Sequence, residues 1–301
     1  MSAQREPRHA PVLVAEILRL LDPQPGQTWV DCTVGGGGHS RVIAERLAGQ
    51  CGTLIGLDQD PTMLELARPR LDEATGAKIT LVHANFDQLG SVLTNLGIDA
   101  IDGVLADLGF SSDQMQEAGR GLSFREDGPL DMRLDPTTGA TAADMVNTMS
   151  EAGLADVFFE FGEERQSRRV SRKIVERRKV TPFATTTDFA NVVRSCVPRS
   201  GSIDPATRVF QALRIAVNDE LGALDRLLAV LPRVLKPGGR AGIISFHSLE
   251  DRRVKQAFRD SPMWEVITKK PVEASDEELA RNPRSRSAKL RVAARSHDKH
   301  L

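Results

Sequence analysis

The stretch VDCTVGGGGHS, residues 30–40, places four consecutive glycines between a short apolar run and a run of helix-forming residues. Glycine loses more conformational freedom on ordering than any other residue, so such a loop needs a physical reason. One reason is a nucleotide-like ligand that approaches backbone N–H groups between a strand and a helix. The other is a tight turn that only glycine fits sterically. A P-loop is excluded, because the chain has no G-x-x-x-x-G-K-[ST] pattern.

Outside this loop, short apolar runs alternate with segments whose apolar residues have helical spacing. The alternation predicts an α/β fold, in which a doubly wound parallel sheet carries helices on both faces. The predicted strands are 28–34, 53–58, 78–84, 101–108 and 240–247, and the predicted helices are 12–21, 38–48, 61–71, 86–96, 205–235 and 249–259. Two further runs, 264–268 and 288–295, are predicted to pair as antiparallel strands at the sheet edge.

The alternation is interrupted between residues 111 and 205, where glycine-rich turns and helical segments occur without a strand-like run. We therefore predict a discontinuous core made of residues 1–113 and 205–301. Residues 114–204 are predicted to form an inserted substrate-recognition region, whose helical part covers about 139–204.

The composition restricts the class of protein. The 301 residues carry a formal net charge of −1, which argues against a uniformly cationic nucleic-acid binder but permits a local basic patch. The three cysteines lie far apart and form no C-x-x-C pair, so neither a disulfide framework nor a metal site is indicated. No apolar stretch approaches the ~20 residues of a membrane span. These features predict a reduced, cytoplasmic protein without a membrane partner.

Polar and aromatic residues at the predicted strand ends indicate the ligand. Asp58 ends the second strand about 20 residues after the loop, a position that serves ribose hydroxyls of NAD and of S-adenosylmethionine equally well. The pattern D-x-x-x-G-x-G from Asp31, Phe86 in HANF, ADLGF at 106–110 and LKPGG at 235–239 favour S-adenosylmethionine. Together they resemble a Rossmann-like class I methyltransferase. An NAD-dependent oxidoreductase remains the alternative, although it leaves LKPGG and the insert unexplained.

Longer stretches carry a narrower resemblance over nearly the whole chain. They are TVGGGGHS, ADLGFSSDQ, GLSFREDGPLDMRLD, ATRVFQALRIAVNDEL, IISFHSLEDRRVK and NPRSRSAKLR. These stretches resemble the bacterial small-subunit ribosomal RNA (cytosine-N4)-methyltransferase family, the MraW or RsmH type. The resemblance implies S-adenosylmethionine as cofactor and small-subunit ribosomal RNA, free or in a 30S-type particle, as partner. The implied substrate is a cytidine in the decoding region, and the implied cofactor contacts are Gly37, Gly38, His39, Asp58, Phe86, Asp107 and Gln114.

The residues themselves support some of these contacts more than others. Asp58 and Asp107 are carboxylates at the carboxyl ends of parallel strands, where such folds bind ligands. His39 at a helix start has a local hydrogen bond as its alternative role, and Phe86 can equally be a core aromatic. Gln114 follows from the resemblance alone.

The implied reaction is attack by a cytosine amine on a sulfonium methyl group. That nitrogen is a poor nucleophile, because its lone pair is delocalised into the ring, so alignment and a hydrogen-bond acceptor would help it. A DNA amino-methyltransferase is the alternative within this class, and many amino-methyltransferases place an acidic or amide residue before Pro-Pro-aromatic here. This chain has Asp107 and Phe110 at the outer positions but Leu108 and Gly109 between them. Phe110 would stack on a flipped-out base or pack beneath the loop. The sequence does not determine the roles of Ser111, Ser112 and His247.

Basic residues in the insert form a candidate RNA-binding stripe. Five cations have the i, i+3, i+4, i+7, i+8 spacing of one helix face, namely Arg165, Arg168, Arg169, Arg172 and Lys173. Arg177, Arg178 and Lys179 would extend it. Such cations neutralise phosphates without reading bases, and the alternative is an ordinary solvated face. A protein that binds RNA without catalysis is the corresponding alternative function.

Two further polar sets have open roles. A second basic cluster lies near the end of the chain, at Arg281, Arg284, Arg286, Lys289 and Arg291. A polar stripe of Gln211, Arg214 and Asn218 would line the cleft or belong to a plain amphipathic helix.

Overall fold

The computed structural model describes residues 11–73, 76–199 and 204–297. Internal contacts divide the chain into two compact units, Met1–Ser111 with Leu221–Leu301, and Ser112–Glu220. The sequence prediction placed residues 205–220 with the first unit. They group with the second because apolar residues of this segment, such as Val209 and Leu213, belong to the second unit's core.

The first unit contains a seven-stranded sheet in the order β3-β2-β1-β4-β5-β7-β6. The strands are β1 Thr28–Asp31, β2 Thr53–Asp58, β3 Lys78–His83, β4 Ile101–Asp107, β5 Leu235–Ser245, β6 Trp264–Val266 and β7 Lys289–Arg295. Strands β1 to β5 pair in parallel, whereas β7 is antiparallel to both of its neighbours. The predicted doubly wound sheet is therefore confirmed. The last strand differs in one respect, because β7 lies between β5 and β6 and the short β6 forms the edge.

Helices follow the strands and fill the second unit. Their bounds are α1 Val14–Leu21, α2 Gly38–Leu47, α3 Pro61–Asp72, α4 Leu89–Asn95, α5 Ser112–Gln116, α6 Ala142–Thr148, α7 Glu151–Glu160, α8 Ser167–Arg178, α9 Thr186–Cys196, α10 Ala206–Val217, α11 Glu220–Val234, α12 Ser248–Asp260 and α13 Asp276–Arg281. Short 3-10 turns occupy Phe86–Gln88, Ala118–Arg120 and Pro283–Ser287. Among the residues that the structure describes, none of these helices combines the length and the apolar character of a membrane span.

Alternating strand residues pack on opposite faces of the sheet. In β1, Val30 belongs to an apolar cluster with residues of α4, α11 and α12, while its neighbour Trp29 packs with residues of α1 and α2. In β4, Val104 and Leu105 divide between the same two clusters. Both faces are thus covered by helices, which explains why the strands have nearly continuous apolar sequences.

The second unit has its own core, formed mainly by helices α6 to α10. Aromatic rings meet in it, with Phe189 lying 5.4 Å from Phe183 and 5.6 Å from Phe210 between ring centroids. These contacts make the insert a packed body of its own.

Two sequence predictions near residues 205–247 were wrong in detail. The predicted single helix 205–235 is two helices, because the chain breaks at Asn218 and at Asp219, whose φ is 47°. The Asn218 side chain holds the break by accepting from Leu134 N at 2.7 Å. The LKPGG stretch lies within β5, which begins at Leu235 and pairs with β4 through an irregular register.

Candidate functional site

The glycine loop joins β1 to α2, and its glycines lie in different surroundings. Gly37 has a φ of 80°, and a Cβ there would lie 3.2 Å from the Cβ of Ala67 on α3, so this position needs glycine for packing. Gly35 has a φ of 50°, and no atom of the described chain lies within 4 Å of where its Cβ would be. The loop is therefore a tight turn at one glycine and leaves its backbone open to a ligand at another.

Asp31, at the end of β1, accepts hydrogen bonds from the loop and from α2. Its side chain is fully buried and accepts hydrogen bonds from Ser40 Oγ at 2.6 Å and from Thr33 N at 3.1 Å. Burial raises the pKa of this carboxyl, and the bond from Ser40 opposes that effect. Both oxygens are thus occupied by the loop and by the first turn of α2.

Asp58, at the end of β2, lies against the same loop. Its Oδ2 accepts from Gly35 N at 2.8 Å and its Oδ1 from Asp60 N at 2.9 Å. Burial raises the pKa of Asp58 to about 7, although both backbone hydrogen bonds oppose this. Each carboxylate oxygen can accept a second hydrogen bond, so the group keeps capacity for ligand hydroxyls.

Asp107, at the end of β4, presents the least satisfied carboxylate of the group. Its backbone N donates to Thr33 Oγ1 at 2.6 Å, which ties β4 to the loop. Its Oδ2 lies 3.5 Å from His39 Nδ1, while its buried Oδ1 has no hydrogen-bond partner among the described residues. Burial raises the pKa of Asp107 to about 6, with the charges of Asp31 and Glu250 adding to this and that of His39 opposing it.

His39 hydrogen-bonds a segment 27 positions earlier in the chain, and not its own helix start as the sequence alternative had it, and it also faces Asp107. The ring is buried in the first turn of α2, with Nε2 lying 2.8 Å from the carbonyl oxygen of Val12. The preceding residue, Gly38, is packed just as closely, since a Cβ there would lie 3.0 Å from Pro11 Cγ. The segment before α1 therefore closes over the start of α2.

The other predicted site residues lie in different surroundings. Phe86 is buried in the apolar cluster of α4 and α11. Phe110 is half-buried and follows Gly109, whose φ of 95° turns the chain at the end of β4. Gln114 is a buried residue of α5 and belongs to the second unit. The structure thus brings together the glycine loop, His39, Asp58 and Asp107.

His247 has the structural role that was considered beside a catalytic one. It is the N-cap residue of α12, and its Nδ1 accepts from Glu250 N at 3.4 Å. Glu250 completes the cap, because its Oε2 accepts from His247 N at 3.3 Å, and it also accepts from Phe246 N at 2.8 Å.

Sequence reasoning missed Thr33, Ser40 and Glu250, which surround the candidate carboxylates. Thr33 and Ser40 hydrogen-bond Asp107 and Asp31, and the charge of Glu250 acts on Asp107. The spacing of Glu250 three residues after His247 was an available signal, since it fits a helix-capping box. The two hydroxyl residues gave no such signal.

The predicted basic stripe is exposed, but it is shorter than expected on the helix itself. Arg168, Arg169, Arg172 and Lys173 lie on α8, on the side away from buried Val170 and Ile174. Arg165 is exposed in the turn before α8, so its prediction as a helical member of the stripe was wrong. The nearest acidic partners are loose, with Arg172 3.6 Å from Glu151 and Lys173 3.8 Å from Glu176.

Other basic residues are held by internal contacts, which corrects their predicted place in phosphate-binding clusters. Arg177 pairs with Asp188 at 2.8 Å and Arg178 donates to the Val146 carbonyl at 2.7 Å. Arg291 is buried and forms two hydrogen bonds with Asp251, at 2.6 and 3.1 Å.

The residues predicted as a polar stripe on α10 form hydrogen bonds and an ion pair within the second unit. Gln211 donates to the Phe161 carbonyl at 3.1 Å, and Arg214 pairs with Glu220 at 2.7 Å. Asn218 also donates to the Met132 carbonyl at 2.8 Å. These residues therefore have the structural role expected of a plain amphipathic helix, the alternative considered from the sequence.

Comparison with known proteins identifies the family. The family model described as the MraW methylase family matches residues 6–296. The chain belongs to the MraW methylase family. It is 48% identical over 293 residues to ribosomal RNA small subunit methyltransferase H of Sorangium cellulosum, covering 97% of this chain and 92% of that protein. It is 50% identical over 288 residues to the protein of the same name from a Nostoc species, covering 95% and 92%.

Membership of the MraW methylase family confirms the resemblance found in the sequence and S-adenosylmethionine as the cofactor of this methylase. A solved S-adenosylmethionine-dependent O-methyltransferase from Thermotoga maritima also matches, at 10% identity and a TM-score of 0.46, over 100% of this chain and 71% of that one. The assignment of the Rossmann-like class I fold rests on the strand order and on the family.

Proposed function

We propose that this MraW-family methylase transfers a methyl group to the N4 amine of a cytidine in the decoding region of small-subunit ribosomal RNA. The relatives that share about half of its residues over nearly all of its length are named for the small subunit. The observation that carries the proposal is the buried Asp107 Oδ1, which has no hydrogen-bond partner in the described part of the chain. A buried acceptor left in this state is costly unless a ligand donates to it.

The residues present fit S-adenosylmethionine. Gly35 leaves open space beside a glycine loop, and Asp58 keeps acceptor capacity at the next strand end. The remaining proposed contacts are those of the family resemblance, namely Gly37, Gly38, His39, Phe86, Asp107 and Gln114. When bound, the cofactor supplies a methyl group activated by its sulfonium, which the amine takes while the sulfur keeps the bonding electron pair.

The chain's own residues would supply alignment and a proton acceptor. The N4 lone pair is delocalised, and an acceptor on the amine N–H localises it towards attack. Asp107 Oδ1 is that acceptor in our proposal, and it takes the proton that the methylated amine must lose. Phe110 stacks on the target base beside it. Positioning of this kind accounts for a large share of typical rate enhancements.

The second unit is proposed as the substrate-recognition region. Arg168, Arg169, Arg172 and Lys173, with Arg165 just before α8, present an exposed cationic face, in which Arg172 and Lys173 form only loose ion pairs at 3.6 and 3.8 Å. Cations of this kind bind phosphates without reading sequence, and they set the position of the RNA.

The proposal is tested by identifying the methylated nucleoside that the protein produces. Purified protein is incubated with S-adenosylmethionine and small-subunit RNA, free or in particles, from cells that lack the gene, and the RNA is digested to nucleosides. We expect N4-methylcytidine to form, at one position of the decoding region. Methylation of DNA cytosine alone, or binding of NAD without any methyl transfer, would replace the proposal by one of the alternatives. RNA binding with no transfer would make the protein a non-catalytic RNA-binding protein.

A further inference from the structure

The ring of His39 lies in a defined hydrogen-bonding position. Its Nε2 is 2.8 Å from the Val12 carbonyl oxygen, and a carbonyl can only accept, so the Nε2 atom carries a proton. Its Nδ1 then faces Oδ2 of Asp107 at 3.5 Å. If Nδ1 carried no proton, two lone pairs would face each other in a buried site. One additional proton between these atoms removes that repulsion.

The charges of the neighbouring groups determine whether this proton lies on Nδ1 of His39 or on the carboxylate of Asp107. His39 acts on two buried carboxyls, since its charge lowers the pKa of both Asp31 and Asp107. Glu250 is, after Asp31, the second acidic group whose charge acts on Asp107, and it is paired with His247 at 3.2 Å. A proton held on the imidazole is therefore surrounded by carboxylates, whereas a proton held on Asp107 would leave the ring neutral among them.

We propose that His39 is a positioning residue for Asp107, holding a proton at Nδ1 against Oδ2 so that the carboxylate stays ionised and turns Oδ1 to the substrate amine. This inference rests on the proposed function, because it assigns the amine to Oδ1. The ring acts through Asp107 and touches neither the reacting nitrogen nor the methyl group. The Val12 carbonyl fixes the ring, so the segment before α1 contributes to the ionisation of the site.

The first test measures Asp107 directly in the full chain without cofactor or RNA. Aspartate labelled with ¹³C at the carboxyl carbon is titrated by NMR, and the Asp107 signal is assigned by its loss in Asp107→Asn. We expect a midpoint at about 6 in the unaltered protein. In His39→Gln, whose amide can still donate to Val12, the midpoint should rise by about one unit or more, the usual effect of losing an adjacent opposite charge. His297→Asn, which alters an exposed histidine after β7, should leave the midpoint unchanged.

The second test is the pH profile of methyl transfer in single turnovers with saturating S-adenosylmethionine and RNA. For a one-unit shift, the rate of His39→Gln should fall to about one tenth of the unaltered rate below about pH 5.5 and approach it above about pH 8.5. An unchanged Asp107 midpoint in His39→Gln would overturn the inference. So would a rate reduced equally at every pH together with weaker cofactor binding, because His39 would then be only a cofactor contact. Since the carboxyl titration needs no substrate, it remains decisive even if the RNA proposal fails.

Discussion

Charged residues are buried in the glycine-loop site of the first unit, whereas they are exposed to solvent on the basic face of α8 in the second unit. Asp31, Asp58 and Asp107 are enclosed, and burial raises the pKa of each. Arg168 and Arg172 stand in solvent, and the ion pair of Arg172 is loose. A buried carboxylate interacts strongly with its few neighbours, whereas exposed cations act nearly independently and are screened by salt. Single substitutions should therefore have large effects in the first region and small, additive effects in the second.

The largest effect is expected from Asp107→Ala. This change removes both the unpartnered Oδ1 and the group that faces His39, so we expect single-turnover methyl transfer to small-subunit RNA to fall by about 100-fold or more, the scale of proton-transfer catalysis. Cooperative melting should be retained. Asp107→Asn is the matched variant, because it keeps an acceptor oxygen without the charge, and it should retain more activity than alanine. Near-normal transfer by Asp107→Ala would show that the amine does not depend on this carboxylate.

The next effect concerns cofactor affinity and Asp58→Ala. Charge-assisted hydrogen bonds contribute about 1.5–3 kcal/mol each, so titration calorimetry should show binding of S-adenosylmethionine weakened by about 10- to 150-fold. NAD should not bind to the unaltered protein. Unchanged affinity for S-adenosylmethionine in Asp58→Ala would place the ribose contact elsewhere.

A third prediction concerns stability and pH in the absence of cofactor. Asp58 has a pKa of about 7 in the folded protein against an ordinary value of 3.8, so between these values the folded carboxyl holds a proton that the unfolded chain has released. The free energy of unfolding should therefore decrease as pH rises, by about 2 kcal/mol from Asp58 alone between about pH 5.5 and about pH 8. Urea denaturation should show a smaller decrease in Asp58→Asn.

Asp127→Asn provides the control for this pH dependence. Asp127 is exposed, and its hydrogen bonds with Thr187 lower its pKa, so its contribution is lost only in acid, below the window of the experiment. The decrease between about pH 5.5 and about pH 8 should be unchanged in this variant. A flat profile in the unaltered protein would contradict the enclosure of the three carboxyls.

The smallest effect is expected from the basic face. Replacing Arg168 and Arg172 by glutamine should reduce the slope of log affinity against log salt for small-subunit RNA by about 1.4 to 1.8, from roughly 0.7–0.9 per phosphate contact. Affinity for S-adenosylmethionine should not change. The control is Arg46→Gln with Arg68→Gln, which removes two exposed cations from α2 and α3 and should leave the slope unaltered. Equal slopes for both pairs would make the α8 face an ordinary solvated surface.

The sequence predicted those parts of the fold that depend on local pattern. Apolar strands alternating with helices indicated the doubly wound sheet, and the carboxylates Asp58 and Asp107 were correctly placed at strand ends. The break at Asn218 was not predicted, because it depends on hydrogen bonds to Leu134 and Met132, more than eighty positions earlier in the chain. Periodicity describes one helix at a time and carries no information about such partners.

The basic residues show the same limit. Arg172 and Arg178 belong to the same run of charged residues in the sequence. In the structure, Arg172 is exposed, whereas Arg178 donates to a carbonyl of α6. Likewise, the contact of His39 with Val12 and Asp107 joins three segments that are distant in the sequence. Charge and spacing identify candidates, whereas long-range packing decides which of them remain available to a ligand.

The interrupted sheet also has a consequence for synthesis on the ribosome. Strand β4 ends at Asp107, and its neighbour β5 begins only at Leu235, with the whole second unit encoded between them. At about 5–20 residues per second, β5 follows β4 after a delay on the order of ten seconds. During that time one edge of β4, with Val104 and Leu105, has no strand beside it and is open to mispairing. The continuous second unit can fold in this interval, before the last three strands of the sheet have been synthesised.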